Sequence, residues 1–407
     1  MKKLFEAFEK PNLSDWKSQL IKEIKSNNAS DPTAFENEIE ELVFKEVYDT
    51  KESLSFLQKK ETNDWQIGAE IKVFDEKSGN QNALKCLNLG ANSLNFDVTH
   101  LSEINLFQLL DGVEIAYIFT YFTVKDLEQA TSIRTWFSDK TPLFLNINTY
   151  QSSVNTYDIN ALGANISQEL AFALAKGKGM LEKDITKSIH FTFGIGNNFL
   201  LEIAKFRAFH ILWDKLKTTY TSSNETYITA KTGFINKSLN DPYTNILRQT
   251  TEGLSAVLGG VDQLIIQPYD TYSETGSTSF TQRMAINISL ILKEESEINQ
   301  LVDPMNGSLS IEKLTQTLAD SSWKLFQQLE KLGGSEALEV EEYLKNEIER
   351  IRNLRIAQVN DKKQLLVGVN QYFNPEQTNL TWKQEVGTFW DVEYLVLEKE
   401  LITAGLE

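Results

Sequence analysis

The chain is expected to be an α/β protein, a (β/α)8 barrel with an N-terminal helical arm and a short C-terminal tail, on three observations. From about residue 80, helical stretches alternate with short β-rich runs, the pattern of parallel strands joined by crossover helices. Six or seven such runs precede Tyr269, and one more would complete a barrel. The segments flanking the alternation are too short to build cores of their own. A doubly wound open sheet is the alternative arrangement of the same units.

Residues 1–75 form the arm. Ser14 is placed to cap a helix whose apolar residues Trp16, Leu20, Ile21 and Ile24 recur at helical spacing, and Trp16 is the candidate interface residue. A polar stretch from Ser26 to Thr33 precedes Phe44-Lys45-Glu46-Val47-Tyr48, which reads as a strand. Residues 76–372 form the barrel. Ala83 to Leu89 leads through Gly90 to the run 93–97, Leu106 to Leu110 through Gly112 to 115–119, and Ile133 to Phe137 to 143–147. Runs at 189–193, 227–230 and 264–266 continue the pattern. Two long amphipathic helices from Gln316 to about Ile356 are separated by Gly333-Gly334, a helix stop. Residues 373–407 are the tail.

Forty Lys and Arg against 57 Asp and Glu give a net charge of −17 without a dense basic cluster, which argues against nucleic-acid binding. The single cysteine, Cys86, forbids an internal disulfide and fits a reducing compartment. The N-terminus carries acids where a secretory signal would be apolar, and no apolar run approaches the roughly 20 residues that span a bilayer, so the expected location is cytoplasmic, with no membrane contact. The three histidines, His100, His190 and His210, stand far apart with no ligand-spaced neighbour, so no metal site is expected.

Phe193-Gly194-Ile195-Gly196-Asn197-Asn198 is a strand-to-helix turn with Asn197 or Asn198 as cap. It lacks the third glycine of a dinucleotide fingerprint and reads as a turn at the barrel mouth, where barrel active sites lie. Ala175-Lys176-Gly177-Lys178-Gly179 reads as a solvated helix end.

Several runs together resemble the methylmalonyl-CoA mutase family. These are 168–175, Phe193-Gly194-Ile195-Gly196 with 202–208, Asn240-Asp241-Pro242-Tyr243-Thr244-Asn245 with Arg248, 256–260, 293–296, Val302-Asp303-Pro304-Met305-Asn306-Gly307-Ser308 and 367–370, in the family's order over about 155–370. Asp15-Trp16-Lys17 is similar to the opening of the family's small subunit. The resemblance implies a barrel through which acyl-CoA threads, with adenosylcobalamin between it and a C-terminal cobalamin domain.

The departures set the functional expectation. Active members carry Tyr-His where this chain has Tyr157-Asp158, and an ionised carboxylate accepts but cannot donate to the substrate carbonyl. The family's His-x-Gln-Thr-Ser-Gly appears as Thr229-Ala230-Lys231-Thr232-Gly233, and no Asp-x-His-x-x-Gly exists to ligate cobalt. The chain is also expected to stop where the cobalamin domain would begin. Tyr157, Asp158 and Lys231 are therefore degenerate catalytic positions, while Gly194, Gly196, Asn198, Asp241, Tyr243 and Arg248 are vestigial scaffold. The resemblance implies a non-catalytic small (beta) subunit that binds no cofactor alone. It would stabilise the catalytic large (alpha) subunit, which uses adenosylcobalamin to interconvert (R)-methylmalonyl-CoA and succinyl-CoA. The alternatives are an active mutase barrel served by a separate cobalamin-binding polypeptide, and a barrel reassigned to a non-CoA ligand read by Asp158 and Lys231.

Overall fold

The computed structural model describes residues 12–26, 35–44, 60, 62–137, 143–146, 153–374, 380–384 and 386–403. Helix α1 (Leu13–Ser26) is capped by Asn12 rather than Ser14: the Asp15 amide donates to Asn12 Oδ1 at 2.9 Å, and Ser14 lies inside the first turn. Trp16 is half-buried. An antiparallel hairpin follows, β1 (Phe35–Asn37) and β2 (Leu42–Phe44). The remainder of the strand expected at 44–48 lies outside the described residues.

The barrel is built from β3 (Gln66–Lys72), α2 (Glu76–Asn88), β4 (Ser93–Asp97), α3 (Leu106–Leu109), β5 (Phe119–Thr123), α4 (Leu127–Trp136), β6 (Leu143–Asn146) and β7 (Ser153–Asn155). It continues through α5 (Tyr157–Ala161), α6 (Ile166–Lys183), β8 (Ile189–Ile195), α7 (Phe199–Thr219), β9 (Thr226–Thr232), α8 (Thr244–Leu258), β10 (Gln263–Ile265) and α9 (Ser279–Leu290). The strands form one parallel sheet in the order β6-β5-β4-β3-β10-β9-β8-β7. β10 returns to β3 with Gln263 opposite Gln66, and the end strands β6 and β7 approach to Cα separations within 8 Å. This is a barrel closing on itself, not an open sheet. β3 and β7 are the strands the periodicity did not pick out, and β3 lies inside the segment assigned to the arm. The run at 115–119 is mostly turn, and its strand begins at Phe119.

Two long helices, α10 (Leu309–Lys331) and α11 (Leu338–Asn360), pack outside, separated by Gly333 and Gly334 at φ 110° and 78°, a left-handed conformation that favours glycine. Beyond them a small hairpin, β11 (Thr388–Phe389) with β12 (Val392–Glu393), and α12 (Leu397–Thr403) fold back on the barrel. No helix of the described residues is long and apolar enough to cross a membrane.

Side chains alternate across each strand. On β8, Phe191 and Phe193 point outward and meet Phe209 of α7, each with ring centroids 4.8 Å apart, and Phe191 meets Trp213 at 4.8 Å. The alternate residues His190 and Thr192 face the lumen. On this strand the outer layer is thus apolar and the inner one polar. Gly177 belongs to the outer layer and not to a solvated helix end: it sits within α6, and a Cβ there would lie 2.6 Å from Trp213 Cζ3 and 2.8 Å from Phe191 Cζ.

The β1–β2 hairpin packs on this chain's own helices. Glu40 accepts from the amide of Ile166 at 2.8 Å, complementing the N-terminus of α6, and faces Arg355 of α11 at 3.5 Å. Arg350 pairs with Glu41 at 2.7 Å and Gln358 with Glu38 at 2.9 Å, completing a clasp between the hairpin turn and α11.

Two outcomes follow. Gly177→Ala should lower stability by about 1–2 kcal/mol, because overpacking against fixed rings outweighs alanine's better helix propensity of at most about 1 kcal/mol; a raised denaturation midpoint would contradict this packing. Burial pushes His190 down to about 3, against about 6.5 in the unfolded chain. Between those values the unfolded chain alone holds the proton, so this contribution is full above pH 6.5 and falls as pH drops. In urea melts between pH 6.5 and 5, His190→Gln should show a stability slope shallower than wild type by about 1.1 kcal/mol per pH unit.

Candidate active site at the barrel mouth

The C-terminal ends of the strands open into a cavity of about 240 Å³. Three sequence-predicted positions meet there, Tyr157, Asp158 and Lys231, and with them Glu70 of β3, which sequence reasoning missed. Lys231 Nζ donates to Glu70 Oε1 at 2.6 Å and stands 4.3 Å from the centre of the Tyr157 ring. Gln267 donates to Glu70 Oε2 at 2.6 Å. Burial alone would raise the Glu70 carboxyl, but Lys231 outweighs it and holds the group below its ordinary range. Burial would likewise lower Lys231, and Glu70 reverses that. The two are ionised as a pair.

Asp158 opens α5 at the end of β7. Its Oδ1 accepts from the Tyr394 hydroxyl at 2.5 Å and its Oδ2 from Asn155 Nδ2 at 2.9 Å. Burial raises its pKa against the opposing pull of Tyr394 and Lys231. Tyr157 shares a hydroxyl contact of 3.0 Å with Tyr272, and Tyr272 and Tyr394 both pack on Phe234. These aromatic residues lie over the mouth, and Tyr394 comes from the tail, where no local pattern signalled a role. Glu70 did have a signal, because Ile67, Ala69 and Ile71 alternate with Gly68, Glu70 and Lys72, and the burial of the first set turns the second inward.

Below this layer the lumen is crossed. Tyr121 of β5 meets His190 of β8 edge-on at 4.8 Å, and Phe119 meets Tyr227 of β9 at 5.2 Å. A chain of hydrogen bonds runs from His190 to Thr229 (2.7 Å), from Thr229 to Gln263 (2.6 Å), and on to Ser93.

The other predicted positions lie outside the cavity. The Gly194 amide donates to Glu169 Oε1 at 2.9 Å, its carbonyl accepts from Lys205 at 2.6 Å, and a Cβ there would strike Asn160 at 2.3 Å. Glu202 Oε1 stands where a Cβ on Gly196 would come within 2.8 Å. Asn198 caps α7. The Asp241 amide donates to the Ser238 hydroxyl oxygen and its carboxylate accepts from the Thr244 hydroxyl, while Arg248 donates to Asn245 at 2.8 Å and to the Val367 carbonyl. Tyr243 is exposed beside Tyr269. These residues hold the start of α8 against the 366–370 turn.

No histidine lines the cavity. His190 lies beneath it, His210 faces the Gly260 carbonyl at 3.2 Å, and His100 stacks on Phe74 at 4.8 Å. Among the described residues no cluster of His, Cys, Asp and Glu could hold a metal ion. The histidines therefore do not fit a cobalt-ligating role.

A family model described as methylmalonyl-CoA mutase matches residues 115–388. The methylmalonyl-CoA mutase small subunit of Porphyromonas gingivalis is 30% identical over 77% of this chain and 60% of its own length. The methylmalonyl-CoA mutase of Rhizobium meliloti is 36% identical over 54% of this chain and 33% of its own length, and the human mitochondrial mutase 31% identical over 54% and 31%. The chain thus spans from about a third to 60% of these relatives. With the match covering well over half of its residues, the chain belongs to the methylmalonyl-CoA mutase family.

Proposed function

We propose that the chain is the non-catalytic small subunit of a heterodimeric methylmalonyl-CoA mutase. Its large subunit would interconvert (R)-methylmalonyl-CoA and succinyl-CoA, holding adenosylcobalamin itself. The observation that carries this reading is the crossed lumen. Ring contacts from β5 to β8 (Tyr121–His190) and from β5 to β9 (Phe119–Tyr227) place side chains across the lumen where an acyl-CoA chain would have to thread. Asp158 and Lys231 fit the same reading, since each is already engaged by the chain's own groups. The name of the Porphyromonas relative, a small subunit, adds support. An active barrel served by a separate cobalamin polypeptide would need an open lumen.

The role would be mass-action stabilisation: a surface that binds only the folded large subunit raises its stability by about 2.7 kcal/mol at a hundred times the dissociation constant. Co-expression with a large-subunit homologue carrying an intact Asp-x-His-x-x-Gly should give one size-exclusion peak containing both chains, with turnover only in that peak. Two separate peaks would overturn the proposal, as would turnover by this chain with free adenosylcobalamin. Asp158→His should leave this chain without detectable turnover even beside a cobalamin-binding polypeptide, because the histidine restores a donor but not a passage.

A further inference from the structure

The turn that leads into α10 carries a reactive pair that the subunit role does not use. Asn306-Gly307 is the one Asn-Gly pair in the chain, and both residues are exposed. The Asn306 backbone amide donates to the Asp303 carbonyl at 2.9 Å, while its carboxamide makes no hydrogen bond among the described residues. Gly307 lies at φ 82°, and a Cβ there would meet nothing within 4 Å, so the backbone and not a neighbour asks for glycine. The Gly307 amide donates to Glu312 Oε1 at 3.1 Å, and the same oxygen accepts from Arg207 Nη2 at 2.7 Å. Arg207 is fully buried and also donates to Asp303.

A free carboxamide beside a glycine is open to attack by its own backbone, because no side chain on the next residue shields that nitrogen. We propose that Asn306 is a spontaneous deamidation site whose rate Glu312 controls. The Gly307 nitrogen loses its proton to water and attacks Asn306 Cγ. The new C–N bond closes a succinimide ring, and the side-chain nitrogen takes a proton and leaves as ammonia. Water then opens the ring at either carbonyl, giving aspartate or an isoaspartate whose backbone runs through the side chain. Water enters and ammonia leaves, and nothing is oxidised or reduced. The bond to Glu312 must break before the nitrogen can attack, and a carboxylate beside that nitrogen disfavours its anion, so the folded turn slows the step. The aspartate product places a negative charge before the N-terminus of α10, where the helix dipole favours it. The isoaspartate product adds a carbon to the turn that sets Asp303 and Glu312 on Arg207. This goes beyond the subunit role proposed above and does not depend on it.

The test ages the purified full chain at mildly alkaline pH in heavy-oxygen water and maps it by peptide mass spectrometry. Residue 306 should gain a labelled carboxylate, as aspartate and isoaspartate, and the gain should quicken as pH rises. Asn306→Gln should fold as wild type does and stay unlabelled at that position, and Gly307→Ala should slow the gain. A peptide of residues 303–310, which lacks Glu312, should label about tenfold faster than the folded chain, the worth of one hydrogen bond. No label at residue 306, equal labelling at the other exposed asparagines, or a rate indifferent to pH would overturn the site. A peptide that labels no faster than the folded chain would overturn the control by Glu312.

Discussion

Inside a closed barrel every second side chain of every strand points at the same narrow axis, and among the described residues of this protein most of those side chains are polar. A barrel interior is usually filled by branched apolar residues that need only fit one another. Here His190, Thr229, Gln263 and Ser93 must also bond one another, because each would be costly to bury alone. The run of hydrogen bonds ties β8, β9, β10 and β4 to one register, and the Tyr121 ring brings in β5. The layers above inherit that geometry: Lys231 can reach Glu70 only because β9, β10 and β3 are held side by side.

The same logic explains why the glycine-rich turn after β8 is not a phosphate cradle. The place an anion would take is held by the protein's own carboxylate, since Glu169 accepts from the Gly194 amide and from the Thr156 hydroxyl. Lys205 lies fully buried beside both Glu169 at 3.2 Å and Glu202 at 2.7 Å. Burial raises Glu169 and would lower Lys205, yet the two carboxylates hold Lys205 protonated. Removing one member of such a group strands the others, at about 3–5 kcal/mol. The glycines are there to admit Asn160 and Glu202, and the turn serves the join between α5, α6 and α7.

Regular features came through from sequence because they depend on neighbours in the chain. The strand-helix alternation, the Gly333-Gly334 stop and the Asn198 cap are local, and each has its place in the structure. β3 was missed because residues 62–65 offer no helix to announce it, and β7 because three residues show no period. Asp158 and Lys231 were found through resemblance, but what they do was not visible, because Tyr394 lies 236 residues from Asp158 and Glu70 lies 161 from Lys231. The reading of Gly177 as a solvated end failed for the same reason: lysines on either side look like surface, while Trp213 and Phe191 arrive from other elements.

The clasp between the hairpin turn and α11 joins residues more than 300 positions apart, Glu40 to Arg355 and Glu38 to Gln358. Contacts of such separation must wait for their loop to close. During synthesis at about 5–20 residues per second, the hairpin emerges tens of seconds ahead of the helix that receives it. Throughout that interval the N-terminus of α6 lacks the completed clasp, which can close only once α11 has emerged.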